Sequence, residues 1–258
     1  MIRIFLAAVG VSCVSCAAQV VYADGDFAAG TWGLEVFQRV EGGTVTGVAS
    51  LSGQPGTARR VASAVNGAAG SSVIGFHRYG TTLATRYEPA SQGPLESISM
   101  SIDARMVNGF GDGQGVSVGL KQGQIVYAAG GLVTGSSGSW IRLDFANLGI
   151  DQFSRIDGQP GRPDFSAAGQ PIRFGFVTSN STTGGAYSIV VDYDNFRVVA
   201  RRPCKADFNG DGGVDGSDVA AFFVAWEAGG AVSDVNEDGG VDGSDVEAFF
   251  VVWEAGGC

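Results

Sequence analysis

From Asp24 to about Ala200 the apolar residues recur at every second position. Ile98, Met100 and Ile102 alternate with small or polar neighbours in ESISMSIDA, and Val116, Val118 and Leu120 do so in GVSVGL. The same rhythm runs through Ile141, Leu143 and Phe145, through Ile172, Phe174 and Phe176, and through Ile189, Val191 and Tyr193. A period of two sets one face of an extended strand on a core and the other in water. Ten or so such runs are separated by glycine-rich and polar clusters such as GDGQG at 111–115 and NSTTGG at 180–185. They predict a mainly β protein, an antiparallel β-sandwich. No stretch of this region keeps helical periodicity over three turns.

The rhythm stops at ARRPCKA, residues 200–206, a basic joint containing a proline. Beyond it, Val219, Phe222, Phe223 and Trp226 fall at helical spacing, and Val246, Phe249, Phe250 and Trp253 repeat them. The expected organisation is a sandwich over 24–199, a linker over 200–203 and a small helical domain over 204–258. Residues 1–23 carry a single base, Arg3, an apolar stretch from Ile4 to about Val14, and Val21 and Ala23 at the −3 and −1 positions of a cut. This is the pattern of a secretory signal peptide. Its apolar run is shorter than the roughly 20 residues that span a bilayer, and Cys13 and Cys16 lack the Leu-small-small context of a lipoprotein cysteine. The chain is therefore expected outside the cell or at its surface, with no transmembrane segment. In an oxidising compartment Cys204 and Cys258, which bracket the small domain, are expected to pair; two free thiols are the alternative.

Charge separates the two regions further. Residues 204–258 hold 12 Asp and Glu against one Lys, a formal −11, which leaves residues 1–203 at +1. Neither balance offers nucleic acid a basic surface. The acids are patterned. DFNGDGGVDGSD at 207–218 returns 27 residues later as DVNEDGGVDGSD at 234–245. In the first copy, oxygen-bearing side chains occupy loop positions 1, 3, 5, 9 and 12 as Asp207, Asn209, Asp211, Asp215 and Asp218. Gly212 stands at the sharp turn of position 6, and the carbonyl of Gly213 is the ligand offered at position 7. The second copy supplies Asp234, Asn236, Asp238, Asp242 and Asp245, with Gly239 at the turn and Gly240 at position 7. A 12-residue loop of this layout wraps a calcium ion in oxygen. Without a cation, each close carboxylate pair costs roughly 1–4 kcal/mol, so the two ions are expected to be a folding requirement.

A loop followed by a helix, twice, with Asp rather than Glu at position 12 and no helix ahead of either loop, resembles the type I dockerin domain over residues 204–258. The resemblance implies a calcium-dependent module that plugs into cohesin domains of a scaffold protein. Its contacts would come from loop positions 10 and 11 and from the exposed side of each following helix. On this chain those positions are Gly216, Ser217, Phe223 and Val224, then Gly243, Ser244, Phe250 and Val251. Many dockerins carry Lys or Arg where this chain has those phenylalanines and valines, so the implied partner is cohesin-like or another scaffold or cell-surface protein. The phenylalanines suit the core of so small a module, and the valines suit an exposed partner patch. The two ends of the sandwich, DGDFAAGTWG and VDYDNFRVV, resemble those of secreted jelly-roll domains of the carbohydrate-binding-module type. That resemblance implies pairing of the first and last strands and a structural calcium near Asp26 and Asp194; solvated turn residues are the alternative.

The expected function is a secreted, non-catalytic binding protein, with polysaccharide as a candidate ligand, attached through a calcium-dependent tail. A polysaccharide hydrolase or lyase carrying a dockerin and a structural cell-surface protein are the alternatives. Glycosidases need two carboxylates across the sugar bond, and Glu35, Glu41, Glu88 and Glu96 show no paired arrangement on one strand face. His77, the sole histidine, alternates with Ile74 and Phe76 beside Arg78, which predicts a solvent-facing or neighbour-paired side chain and not a catalytic one. No histidine cluster for zinc and no phosphate loop are present. Trp32, Trp140, Tyr79 and Tyr87 are available as sugar platforms, although aromatic strand residues more often fill cores.

Overall fold

The computed structural model describes residues 19–255 apart from 40, 41, 110, 112, 137 and 212. Cys13, Cys16, Glu41, Gly212, Cys258 and the residues ahead of Gln19, most of the expected leader, lie outside the described residues. Two compact units emerge, Gln19–Arg201 and the chain from Arg202 onward.

The larger unit is built from β1 (Gln19–Asp24), β2 (Trp32–Arg39), β3 (Thr44–Ser50), β4 (Ala58–Gly67), β5 (Ser72–Tyr79), β6 (Arg86–Tyr87) and β7 (Ser97–Asn108). It continues with β8 (Gly115–Gln122), β9 (Ile125–Val133), β10 (Ile141–Leu148), β11 (Ser154–Arg155), β12 (Ile172–Ser181) and β13 (Gly185–Arg201). One short α-helix, α1 (Pro89–Gln92), and 3-10 turns at Leu83–Thr85 and Ile150–Gln152 interrupt them among the described residues. The first sheet runs β10–β7–β13–β4–β3 with β1 also on β13, and the second runs β11–β9–β8–β12–β5–β2 with β6 also on β12. Every pairing is antiparallel. One hydrophobic core joins them: Ile98, Met100 and Ile102, Val116, Val118 and Leu120, Ile172, Phe174 and Phe176, and Ile189, Val191 and Tyr193 are all buried in it. The alternation therefore specifies the sandwich.

β13 is its spine. It pairs with β7 along one side, and on the other with β4 through Gly185–Tyr193 and with β1 through Phe196–Arg201. First and last strands thus pair, as the jelly-roll resemblance implies. The boundaries differ from those read in sequence. Gln19–Ala23, read as the end of the leader, pair residue by residue with Arg201 back to Arg197. Ala200 and Arg201, read as linker, close β13. Among Gln19–Asp24 only Tyr22 is buried, so this strand offers little alternation to announce it in the sequence.

His77 departs from its expected position. It is fully buried, stacked on Phe176 with ring centroids 4.6 Å apart. Its Nδ1 accepts from Arg59 Nε at 3.0 Å and its Nε2 lies 3.2 Å from Thr178 Oγ1. The alternation along β5 is real, but both faces of this strand are apolar. Val73 and His77 face the sandwich core, while Phe76 and Ile74 belong to a second cluster, with Val126 and Val177, on the outside of the second sheet. Burial, then the charge of Arg59, holds the His77 imidazole well below its ordinary value. Burial likewise lowers the Arg59 guanidinium to about 10.

The fold therefore holds His77 neutral, whereas the unfolded chain binds a proton below about pH 6.5. The stability that depends on neutral His77 is complete above that pH and falls beneath it, by up to about 1.4 kcal/mol per pH unit. Denaturant midpoints between pH 7.5 and 5.5 are expected to show this slope and His77→Gln to flatten it; equal slopes for the two proteins would contradict the buried neutral imidazole.

Candidate functional site

The outward side of the second sheet carries two depressions. Registers place side chains in cross-strand rows there. Ser117, Val177, Phe76 and Glu35 form one, and Gly119, Gly175, Arg78 and Gly33 the next. Absent side chains shape it: a Cβ on Gly119 would lie 2.8 Å from the Phe76 ring, so that ring lies against β8. Lys121 Nζ on β8 bonds both Glu35 oxygens on β2 at 2.8 and 2.9 Å. Three strand spacings separate these strands, about 14 Å, so this ion pair crosses the apolar cluster. A depression opens toward each end of the face. One, of about 330 Å³, is lined by Arg78, Arg86, Lys121 and Arg173. The other, also about 330 Å³, is lined by Ser72, Gly115, Ser179, Ser181 and half-buried Tyr187. β12 runs from one to the other, Arg173 to Ser181, about 26 Å of extended chain.

The aromatic platforms suggested by the sequence do not lie on this face. Trp32 is core, stacked on Phe27 at 4.7 Å, and Tyr87 is fully buried. Tyr79 packs on Trp32 and Phe196. Trp140 is half-buried beneath Arg105, whose guanidinium carbon sits 4.8 Å from the ring centroid. Half-buried Phe37 and Tyr187, which sequence reasoning missed, border the face instead, while Phe76 is buried within it. Only the register could have placed them there.

Asp26 and Asp194 are brought to one loop, Ser52–Thr57. Asp194 Oδ2 accepts from the Gln54 backbone and Asp26 Oδ1 from Thr57 N at 3.2 Å. Gly53 and Gly56 permit the approach, since a Cβ at either would lie 2.9 and 3.0 Å from those carboxylate oxygens. Asp194 is fully buried, and burial, with added repulsion from Asp103 and Asp24, raises its carboxyl above its ordinary value. Nearby Asp192 has the opposite fate. Burial would raise it, but bonds from Arg60, Ser52 and Arg105 outweigh that and hold it low.

The second unit contains α2 (Gly216–Glu227) and α3 (Gly243–Glu254), each preceded by one acidic loop. The two loops fold alike. Asn209 N and Asp215 N donate to fully buried Asp218, and Asn236 N and Asp242 N donate to fully buried Asp245. Asn209 Nδ2 reaches Ser217 Oγ at 2.8 Å, and Asn236 Nδ2 reaches Ser244 Oγ at 2.7 Å. Asp211 accepts from Gly213 N and Asp238 from Gly240 N, each at 2.9 Å. Gly239 takes φ +90°, as its turn position requires. Asp215 and Asp242 are helix N-caps, closed as capping boxes by Asp218 and Asp245. Bonds from Ser217 and Ser244 hold the two capping carboxyls below their ordinary range, so both stay ionised at neutral pH.

Capping explains positions 9 and 12 but not the acids at positions 1 and 5. The donor set is all oxygen and strongly anionic, which suits a hard cation. A carboxylate offers about four lone-pair sites, so buried Asp218 and Asp245 keep capacity beyond their two backbone donors. Among the described residues no three Asp, Glu, His or Cys side chains converge closely enough to hold a metal ion. The chemistry of the loops thus fits calcium, while their side chains bond their own backbone.

Phe222 and Phe249 stack at 4.3 Å with planes 1° apart and form the core of this unit with Val235. Phe223 and Phe250, read as either core or partner contacts, pack against it. Val224 and Val251 project outward, 72% and 65% exposed. Gly216, Ser217, Gly243 and Ser244 are exposed as well. Each tryptophan crosses to the opposite repeat: Trp226 Nε1 donates to Asp242 O at 2.8 Å and Trp253 Nε1 to Asp215 O at 3.1 Å. Cys204 Sγ accepts from Asp207 N at 3.3 Å; its expected partner Cys258 lies outside the described residues. No described helix is long and apolar enough to cross a membrane.

No family model matches the chain, and no curated protein matches it. Several solved structures are similar. A family 11 carbohydrate-binding module from Clostridium thermocellum, solved with a β-1,3-1,4-mixed-linked tetrasaccharide, has 14% identity and a TM-score of 0.44, covering 70% of this chain and 96% of that one. A xylan-binding family 22 domain has 12% identity and a TM-score of 0.38, covering 70% and 95%. A mannan-recognising module, TmCBM27, has 13% identity and a TM-score of 0.36, covering 72% and 99%. None of these values assigns a ligand to this chain.

The reciprocal tryptophan bonds generate a test of the tail. Trp226→Phe or Trp253→Phe should each cost roughly 1 kcal/mol, read from denaturation of the helical circular dichroism. A double variant as stable as the parent would show that these bonds do not hold the repeats together.

Proposed function

We propose that this chain is an exported, non-catalytic glycan-binding protein whose tail docks onto a scaffold or surface partner in calcium. The observation that carries the glycan reading is the outer face of the second sheet. It offers an elongated strip whose middle exposes the edges of half-buried Phe37, Ile74, Ala128 and Ile156 over buried Phe76, Val126 and Val177, with polar and charged groups lining a depression toward each end. Elongated faces of this kind suit a chain-like ligand that presents apolar sugar faces and hydroxyl edges in turn. His77, bonded on both nitrogens inside the core, is not offered to a substrate.

For the tail, support comes from sequence and geometry together. In the dockerin-like reading Asp207, Asn209, Asp211, Asp215 and Asp218, with the carbonyl of Gly213, hold one calcium ion. Asp234, Asn236, Asp238, Asp242 and Asp245, with the carbonyl of Gly240, hold the second. Bound calcium would neutralise the crowded carboxylates and order the loops. A further structural ion beside Asp26 and Asp194 would relieve the repulsion that Asp103 and Asp24 exert on the buried carboxylate of Asp194. Val224 and Val251, exposed on equivalent helix positions, are the apolar part of the docking surface, with Gly216, Ser217, Gly243 and Ser244 beside it. A Cys204–Cys258 bridge would close the module.

Affinity electrophoresis through a panel of soluble polysaccharides tests the sandwich. The parent chain is expected to be retarded by at least one, and Ser179→Tyr, which fills the exposed polar depression, to bind about tenfold more weakly at an unchanged melting temperature. Release of new reducing ends would overturn the non-catalytic reading. In the tail, Asp207→Ala with Asp234→Ala should abolish a calcium-induced gain in helical circular dichroism; a gain that survives in this variant would remove those positions from the ligand set.

A further inference from the structure

The near-neutral total of the sandwich conceals a row of like charges. Arg173 on β12 stands directly opposite Arg86 on β6 and directly opposite Lys121 on β8. Facing side chains on an antiparallel pair have Cβ atoms about 4.5–5.5 Å apart, and like charges so placed are destabilising. Arg78 adds a fourth cation from the neighbouring row, opposite Gly175. All four line the depression of about 330 Å³, with Gln124 and Gln170.

The acids within reach do not balance them. Glu35 takes Lys121 and stands 3.9 Å from Arg78, and Glu88 pairs with Arg86. Arg173, at the centre of the row, donates to a neutral acceptor, Thr82 O, at 3.2 Å. Burial, then the charges of Arg78 and Arg86, lowers its guanidinium from the ordinary value, while Glu88 opposes only weakly. Arg78 supplies an independent sign. Its Nε is buried without a hydrogen-bond partner, and the side chain is laid over bare β2 backbone, where a Cβ on Gly33 would come within 3.0 Å of it. A merely solvated basic surface would spread its cations apart; here they converge on a cavity with donors left over.

We propose that this depression is a subsite for an anionic substituent on the glycan, a sugar carboxylate or sulfate ester, and that the sandwich therefore selects acidic over neutral polysaccharides. Guanidinium groups present parallel donors that match such oxyanions in bidentate fashion, and β12 carries the face onward from Arg173 toward Ser179. The inference rests on the glycan-binding reading and narrows its ligand class.

Calorimetry of the full chain with a polyuronate, a sulfated galactan and a neutral β-glucan, each at low and high salt, tests it. At least one acidic polymer should bind about tenfold more tightly than the neutral one and lose affinity with salt; the two acidic arms distinguish carboxylate from sulfate. Arg173→Gln and, separately, Arg78→Gln should each bind the acidic polymer about tenfold more weakly with a shallower salt dependence. Arg173→Gln should melt no lower than the parent, because it removes a crowded charge. Tighter binding of the neutral glucan, or unchanged acidic binding in both variants, would overturn this subsite and leave glycan binding standing. Binding to none of the three polymers would overturn both.

Discussion

Like charge gathered where the fold supplies too little counter-charge is the constraint on which the rest depends. A chain with so few ionisable residues could have dispersed them. Instead the tail sets four aspartates into each of two loops with Lys205 as its single base from Cys204 onward, and the sandwich lines up Arg86, Arg173 and Lys121 on one face. Where an internal partner exists the chain uses it, as Asp192 shows between Arg60 and Arg105. Where none exists, the arrangement is stable only if water screens it or a ligand arrives. The acidic loops suit a divalent cation, and the basic row suits an anion.

The scaffold gives those groups fixed positions. β13 joins β1, β4 and β7 into one sheet, and the core beneath it leaves the second sheet with an outer face free to carry chemistry. On that face glycine is as informative as any side chain. Gly119 lets the Phe76 ring lie against β8, and Gly33 gives Arg78 its seat. In the tail, stacked Phe222 and Phe249 and the crossed tryptophans tie each repeat to the other, so the geometry of one loop is coupled to that of its twin.

Much of this was legible in the chain. Period-two runs identified the strands and their inward faces, and the repeated loops declared their own boundaries and helices. What escaped was whatever depends on pairing. His77 lies on a strand apolar on both sides, so alternation could not say which side was the core. Gln19–Ala23 pair with the end of β13 although only one of their side chains is buried, so alternation did not announce that strand. The basic row was invisible because Arg86, Lys121 and Arg173 are far apart in sequence and cancel against acids elsewhere in the sum. Only the register of β6, β8 and β12 brings them together.

The claim that the acidic loops are cation cages is open to a direct measurement: the calcium content of the purified full-length chain after exhaustive dialysis against metal-free buffer, with its unfolding followed in the presence and absence of chelator. The account predicts at least two retained ions per chain and a helical transition that moves to lower temperature once they are stripped. A chain that retains no calcium and unfolds identically in chelator would contradict it.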